Sequence, residues 1–187
     1  MAKKQNKNLP IFIVVGLVAL ALILAIFLPG ATYYQEETAL GITSSQSNKI
    51  NLYSLIFGGL SGTSVSAIGN TVTTNEISVL GGMSYFALIS FILLVLGLVL
   101  VVASLVVKDK KLDLIGSALL VLAGIFMFLI LVAGADITIE GTVKDHVLTF
   151  KEMFEEYKLG AGAIIYAILA ILAGLVGGFN ALKGKNN

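Results

Sequence analysis

The sequence predicts an all-α membrane protein, a bundle of four transmembrane helices topped by a small extracytoplasmic β-rich domain, and three observations lead there. Apolar residues make up 57% of the chain and charged residues only 12%, about half the roughly 25% charge share of an ordinary soluble domain. The 12 lysines and 11 acids gather in short clusters separated by four uncharged stretches, each long enough to cross roughly 30 Å of hydrocarbon at about 1.5 Å per residue. The segments between the first and second stretches, and between the third and fourth, are long and polar and alternate in places like strands. Residues 1–187 thus form one integral membrane domain, with spans at 9–28, 85–107, 114–135 and 161–182 and outer segments at 31–82 and 136–160.

The first span follows Lys3, Lys4 and Lys7, a basic start that also opens secretory signals. A signal carries an apolar run of roughly 7 to 15 residues and then a small-x-small cleavage site. This run is longer and ends in Leu28-Pro29-Gly30, so it reads as a retained anchor. Orientation follows from lysine, because short cytoplasmic loops retain Lys and Arg. With both ends inside, eight of the twelve lysines lie in the cytoplasm, while nine of the eleven acids lie outside. Tyr33, Tyr34, Tyr85 and Tyr157 fall near the outer interface, where amphipathic rings settle. The short turn from Lys108 to Asp113 makes the second and third spans antiparallel neighbours. Absence of Cys, Trp and Arg fits an AT-rich bacterial genome, and the outer domain is held without disulfides.

In the first outer segment, Thr71 to Thr74 and Ile77 to Leu80 read as a hairpin turning at Asn75-Glu76. Asp136 to Glu140 and Val143 to Leu148 alternate in the second, with Gly141-Thr142 as their turn. With Thr32 to Thr38 these strands make one small antiparallel sheet. The run Leu52 to Gly59 is apolar but too short to cross. It is a strand under the sheet, a short helix dipping into the interface, or a contact surface, local core being the commonest outcome for such a run. Thr149-Phe150-Lys151-Glu152 has the form of a capping box. Phe150, Met153, Phe154 and Tyr157 then recur at helical spacing, a stripe that covers the sheet or the membrane surface. The candidate partner surface is therefore Leu52, Tyr53, Leu55, Ile56 and Phe57 together with Phe150, Met153, Phe154 and Tyr157.

Span four carries Ala163, Ala167, Ala170, Gly174, Gly177 and Gly178 as a small-residue face, which lets membrane helices approach closely. Packing within one bundle is its ordinary use; a second subunit or another membrane protein is the other. Chemistry is absent from the pattern. The span cores hold no ionisable residue, the usual mark of ion pathways and proton relays, only hydroxyls at Ser90, Ser104, Ser117 and Tyr166 and the amide of Asn180. His146 is the single histidine, which excludes a two-histidine metal site or a conventional triad within one chain. Gly58-Gly59-Leu60-Ser61-Gly62 lacks the Lys-Ser/Thr ending of a phosphate loop. No cofactor, metal or catalytic residue is implied, and the chain reads as a non-enzyme.

Four spans with both ends inside, a longer first outer loop, a shorter second one and strands in both resemble the claudin-like layout over the whole chain. The claudin signature of Trp, Gly-Leu-Trp and two Cys is missing, since the chain has neither residue. Leu55-Ile56-Phe57-Gly58 is similar to a segment of small four-span proteins of low-GC Gram-positive bacteria. Neither resemblance transfers a functional residue. The sequence thus points to a structural or accessory interaction protein of the cell membrane, acting through its outer domain or helix faces. Its expected partners are the lipid bilayer and another membrane or envelope protein, or a second copy, and no nucleic acid. A small channel or transporter subunit acting as an oligomer is the alternative, and a membrane enzyme comes third.

Overall fold

The computed structural model describes residues 9–78, 82–134, 137–138, 147–148 and 155–183. Along the chain run α1 (Leu9–Phe27), β1 (Pro29–Ala39), β2 (Ile42–Asn51), α2 (Leu52–Phe57), β3 (Ser61–Ile68), β4 (Thr71–Ser78), α3 (Tyr85–Val107), α4 (Lys110–Phe128), β5 (Ile137–Thr138), β6 (Val147–Leu148), β7 (Lys158–Leu159) and α5 (Ala161–Lys183). Helices α1, α3, α4 and α5 are each long and apolar enough to cross a membrane; the chain is a membrane protein. It is not all-α. A five-stranded antiparallel sheet in the order β4-β3-β2-β1-β7 sits at one end of the helices, and β5 and β6 form a separate two-stranded pair.

The four long helices pack in the order α1 against α5, α5 against α4 and α4 against α3, with a smaller contact between α1 and α3. Their sequences dictate that order. In α1 the buried residues are Ile11, Val14, Val18, Ala21 and Ala25, and in α3 they include Ala87, Ser90, Leu94, Gly97 and Val101. Both series step by three and four, a single seam with the 3.5-residue period of left-handed helix packing. Helices α4 and α5 bury two seams each, such as Gly116-Leu120-Ala123 beside Ser117-Leu120-Gly124, and so take the middle. The remaining faces of α1 and α3 stay apolar and exposed, Phe12, Ile23, Ile92 and Val99 among them, as lipid contact requires.

The third helix differs from its sequence reading, running 110–128 instead of 114–135. Asp109 caps it, its carboxylate accepting from the Lys111 backbone at 2.8 Å, so Lys110 to Asp113 become its first turn. Lys108, in the left-handed conformation, reverses the chain within two residues. At the far end Leu129, Ile130 and Val132 bond three residues back. Ser84, the cap of α3, turns its Oγ to the Ile130 carbonyl at 2.5 Å and lies 3.2 Å from that of Ala133. Orphaned carbonyls at a helix end need such a partner, and this one stops α4 early.

The sheet grows directly from α1. Pro29 disfavours helix at Leu28, and the chain continues as β1, which returns as β2 through Leu40-Gly41, both at positive φ as a two-residue hairpin turn demands. The hairpin expected within 71–80 is instead one strand: β4 pairs with β3 from Thr71↔Ile68 to Ser78↔Ser61. The turn falls at Gly69-Asn70, where Gly69 supplies the positive φ that Asn75-Glu76 has no glycine for. From the second outer segment β7 joins β1 at Ala31 and Thr32, whereas among the described residues β5 and β6 pair with each other and with no other strand. Between sheet and helices lies a small core of Ala31, Ile50, Leu52, Leu55, Ile56 and Leu60, all buried. Helix α2 supplies three of these and bridges α1 and α3.

Candidate functional site

Above the row Ala31–Ile50–Gly62, the sheet stands clear of the bundle. No described side chain there is buried on either face: β1 from Thr32, β2 up to Lys49, β3 from Thr63 and β4 from Thr71 to Glu76 are all partly or fully exposed. Antiparallel sheets ordinarily bury one face, and this one is open on both.

Register assigns the side chains to two surfaces, since alternate residues of a strand share a face. On the first, Tyr33 is opposite Asn48, Asn48 opposite Ser64 and Ser64 opposite Asn75. The next row is Gln35, Gln46, Ser66 and Thr73. These eight residues are uncharged, and this is the amide face. The second surface carries Lys49, Glu76 and Glu36 among Tyr34, Ser47 and Val65 and is the charged face.

Hydrogen bonds run along the amide face. Tyr33 donates to Gln35, Gln35 Nε2 donates to Glu37 at 2.7 Å, Gln46 Nε2 contacts Asn48 Oδ1 at 3.4 Å, and Asn48 Nδ2 reaches the Tyr157 hydroxyl at 3.3 Å. Tyr157 stacks on Tyr33 with centroids 5.5 Å apart. Burial, with the Glu156 carboxylate adding to it, raises the Tyr33 pKa above its ordinary value. Burial also raises that of Tyr157, against the opposing pull of the Asn48 donor. Both hydroxyls therefore keep their protons at neutral pH, Tyr33 donating to Gln35 and Tyr157 accepting from Asn48.

Of the partner surface expected from sequence, Leu52, Leu55 and Ile56 are buried in the core under the sheet and are not available to a partner. Their apolar side chains fill the gap between sheet and helices, which is why the run is so apolar. Tyr53 and Phe57 are exposed, packed on each other at 4.9 Å, with Phe57 edge-on to Phe91 of α3 at 4.9 Å. Tyr157 lies beside β7, outside any described helix. Phe150, Met153, Phe154, the capping box and His146 lie outside the described residues.

The small-residue face of α5 is spent within the chain. Ala163, Ala167, Ala170, Gly174 and Gly177 are buried and Gly178 is partly so. A Cβ at Gly174 would stand 2.5 Å from the Ser117 carbonyl of α4, and one at Gly177 would meet the Ser117 hydroxyl. Gly162, Ala173 and Ala181 are buried as well; they belong to the second seam, which a single-stripe reading overlooks.

Asp113, expected in a solvated turn, is only 4% exposed. Asn180 of α5 donates to its Oδ2 at 3.3 Å. Its Oδ1 and the Ser117 hydroxyl one turn on have no hydrogen-bond partner among the described residues. The four-residue spacing of Asp113 and Ser117, continued by Leu120 and Gly124, was the available signal that this carboxylate faces the bundle. A buried carboxylate lacking part of its hydrogen bonding costs several kcal/mol. Asp113→Asn retains the shape and removes the charge, and it is expected to stabilise the detergent-solubilised protein by about 1 kcal/mol, roughly 2–4 °C in thermal midpoint. A lower midpoint would mean that a cation holds the charge.

Among the described residues no group of three or more His, Cys, Asp or Glu is placed to hold a metal ion. Compared with known proteins, the chain matches no family model and no curated protein at a significant level. Its class is therefore defined by architecture: a four-helix membrane protein bearing an open five-stranded sheet.

Proposed function

We propose that the chain is a structural or accessory interaction protein of the cell membrane, presenting its sheet outside the cell with its termini and the Lys108–Asp109 turn in the cytoplasm. The observation that carries this reading is the sheet open on both faces. An exposed polar sheet contributes little hydrophobic stabilisation of its own, and residues of this kind on a rigid anchor are characteristic of recognition surfaces. The lysine distribution supports the orientation. The claudin-like layout belongs to the same proposal, supported by four strands from the first outer segment and one from the second in one sheet.

Photo-cross-linking amino acids at Tyr34 and Val72 on the sheet, and at Leu20 on the lipid-facing side of α1, test the reading in intact cells. Discrete adducts are expected from the two sheet positions. Ser45→Cys is expected to react with an impermeant thiol reagent and Asp109→Cys to stay unlabelled. Adducts from Leu20 alone would overturn the proposal, and labelling of Asp109→Cys alone would invert the orientation. The buried Asp113 and Ser117 favour one second reading, an oligomeric channel or transporter subunit, because ionisable groups inside membranes commonly mark ion paths. Saturable ion flux through the purified protein in liposomes would put that reading first.

A further inference from the structure

We propose that the amide face of the sheet binds a neutral oligosaccharide. This rests on the interaction reading above and names the chemistry of what is bound. The two middle rows of the face carry amides, hydroxyls and the Tyr33 ring, and no charge. Protein partners are held through desolvated anchors, Trp, Tyr and Arg above all. Of these the rows offer a single tyrosine and neither Trp nor Arg. Nucleic acids and other polyanions need Lys or Arg to neutralise phosphate, whereas the sheet's Lys49 and Lys158, both paired with Thr32, are on the opposite face.

A polyol matches what is present. Each carboxamide holds a donor and an acceptor side by side, as neighbouring sugar hydroxyls do, and Gln46 and Asn48 place two of them along one strand, held in line by their contact with each other and by the Asn48–Tyr157 bond. The stacked tyrosines offer aromatic surface for the C–H side of a sugar ring. Charge selects among sugars. Glu37 at the top of this face and Glu156 beside Tyr33 accept hydroxyl hydrogens but repel uronate or phosphate, so the ligand is a neutral chain. Strands about 4.8 Å apart make each row long enough for more than one ring.

The test uses the full chain in lipid nanodiscs, titrated with the linear tetrasaccharides of glucose, of N-acetylglucosamine and, as the acidic arm, of galacturonate. Because the chain holds six tyrosines, whose combined fluorescence does not single out Tyr33 and Tyr157, binding is read by isothermal titration calorimetry. At least one neutral tetrasaccharide is expected to saturate with a dissociation constant of about 1 mM or tighter, and the acidic one is not. Gln46→Ala with Asn48→Ala is expected to weaken binding about tenfold, while Ser45→Ala with Ser47→Ala, on the other face of the same strand, changes it by less than about twofold. All four positions are outside the core, and an unchanged thermal midpoint verifies folding.

Failure of both neutral sugars to saturate by about 10 mM, preference for the acidic one, or equal loss in both variant pairs would overturn the proposal. If no sugar binds while Tyr34 or Val72 still cross-links to a discrete protein, the glycan inference falls and the interaction reading stands. If neither occurs, both fall.

Discussion

Replacing Gly174 by Ile is expected to abolish the folded, monodisperse protein in mild detergent. The new Cβ would lie 2.5 Å from the Ser117 carbonyl, 2.6 Å from Val121 Cγ2 and 2.9 Å from the Val121 backbone nitrogen. Backbone atoms cannot rotate aside, so α4 and α5 must separate along the seam they share, at more than about 3 kcal/mol. Leu172→Met is the control. Leu172 is 44% exposed on the outer side of the same helix, and a nearly volume-conserving exchange there is expected to cost less than about 1 kcal/mol. Size-exclusion profiles and thermal midpoints of the two variants, compared in one detergent, decide the matter. Equal behaviour would remove close approach as the force joining these helices.

Gly62→Val is expected to strike the sheet while leaving the helices intact. Gly62 is opposite Ile50 at the base of the β2–β3 ladder, and a Cβ there would collide with the Lys49 carbonyl. Relief requires the two strands to part where the sheet joins its small core, again at more than about 3 kcal/mol. The measurement is twofold. Loss of the adducts from Tyr34 and Val72 should accompany retention of the helical circular-dichroism signal and of membrane insertion. Retained adducts at full yield would show that the sheet's shape is not what the partner reads.

The helices were legible because composition alone marks them: a stretch of 20 or so uncharged apolar residues has few other uses. Tyr85 to Val107 coincides with α3 for that reason. The end of α4 was not legible, since it depends on a hydroxyl from Ser84, 46 residues away in the chain. Strands β2 and β3 escaped notice for a different reason. Period-2 patterning appears only when one face is buried and the other wet, and Ile42 to Asn51 is wet on both through most of its length. The absence of a pattern there was itself the trace of an open surface. Leu52, Leu55 and Ile56 show the converse difficulty, because a run of apolar residues says that something covers it without saying whether the cover is the chain itself.

The order of the helices also fixes when the bundle closes during synthesis. Of the four, α5 is made last, yet it takes the place between α1, made first, and α4. The same late segment brings β7 to the edge of β1. Until it enters the bilayer, the seam from Ile11 to Ala25 has lipid where its main neighbour belongs, and the pair α3–α4 can form without it. A chain stalled before Ala161 thus holds one finished helical hairpin and one waiting helix, with the sheet lacking an edge strand. Assembly of this kind closes from the middle, with the last-made piece as its wedge.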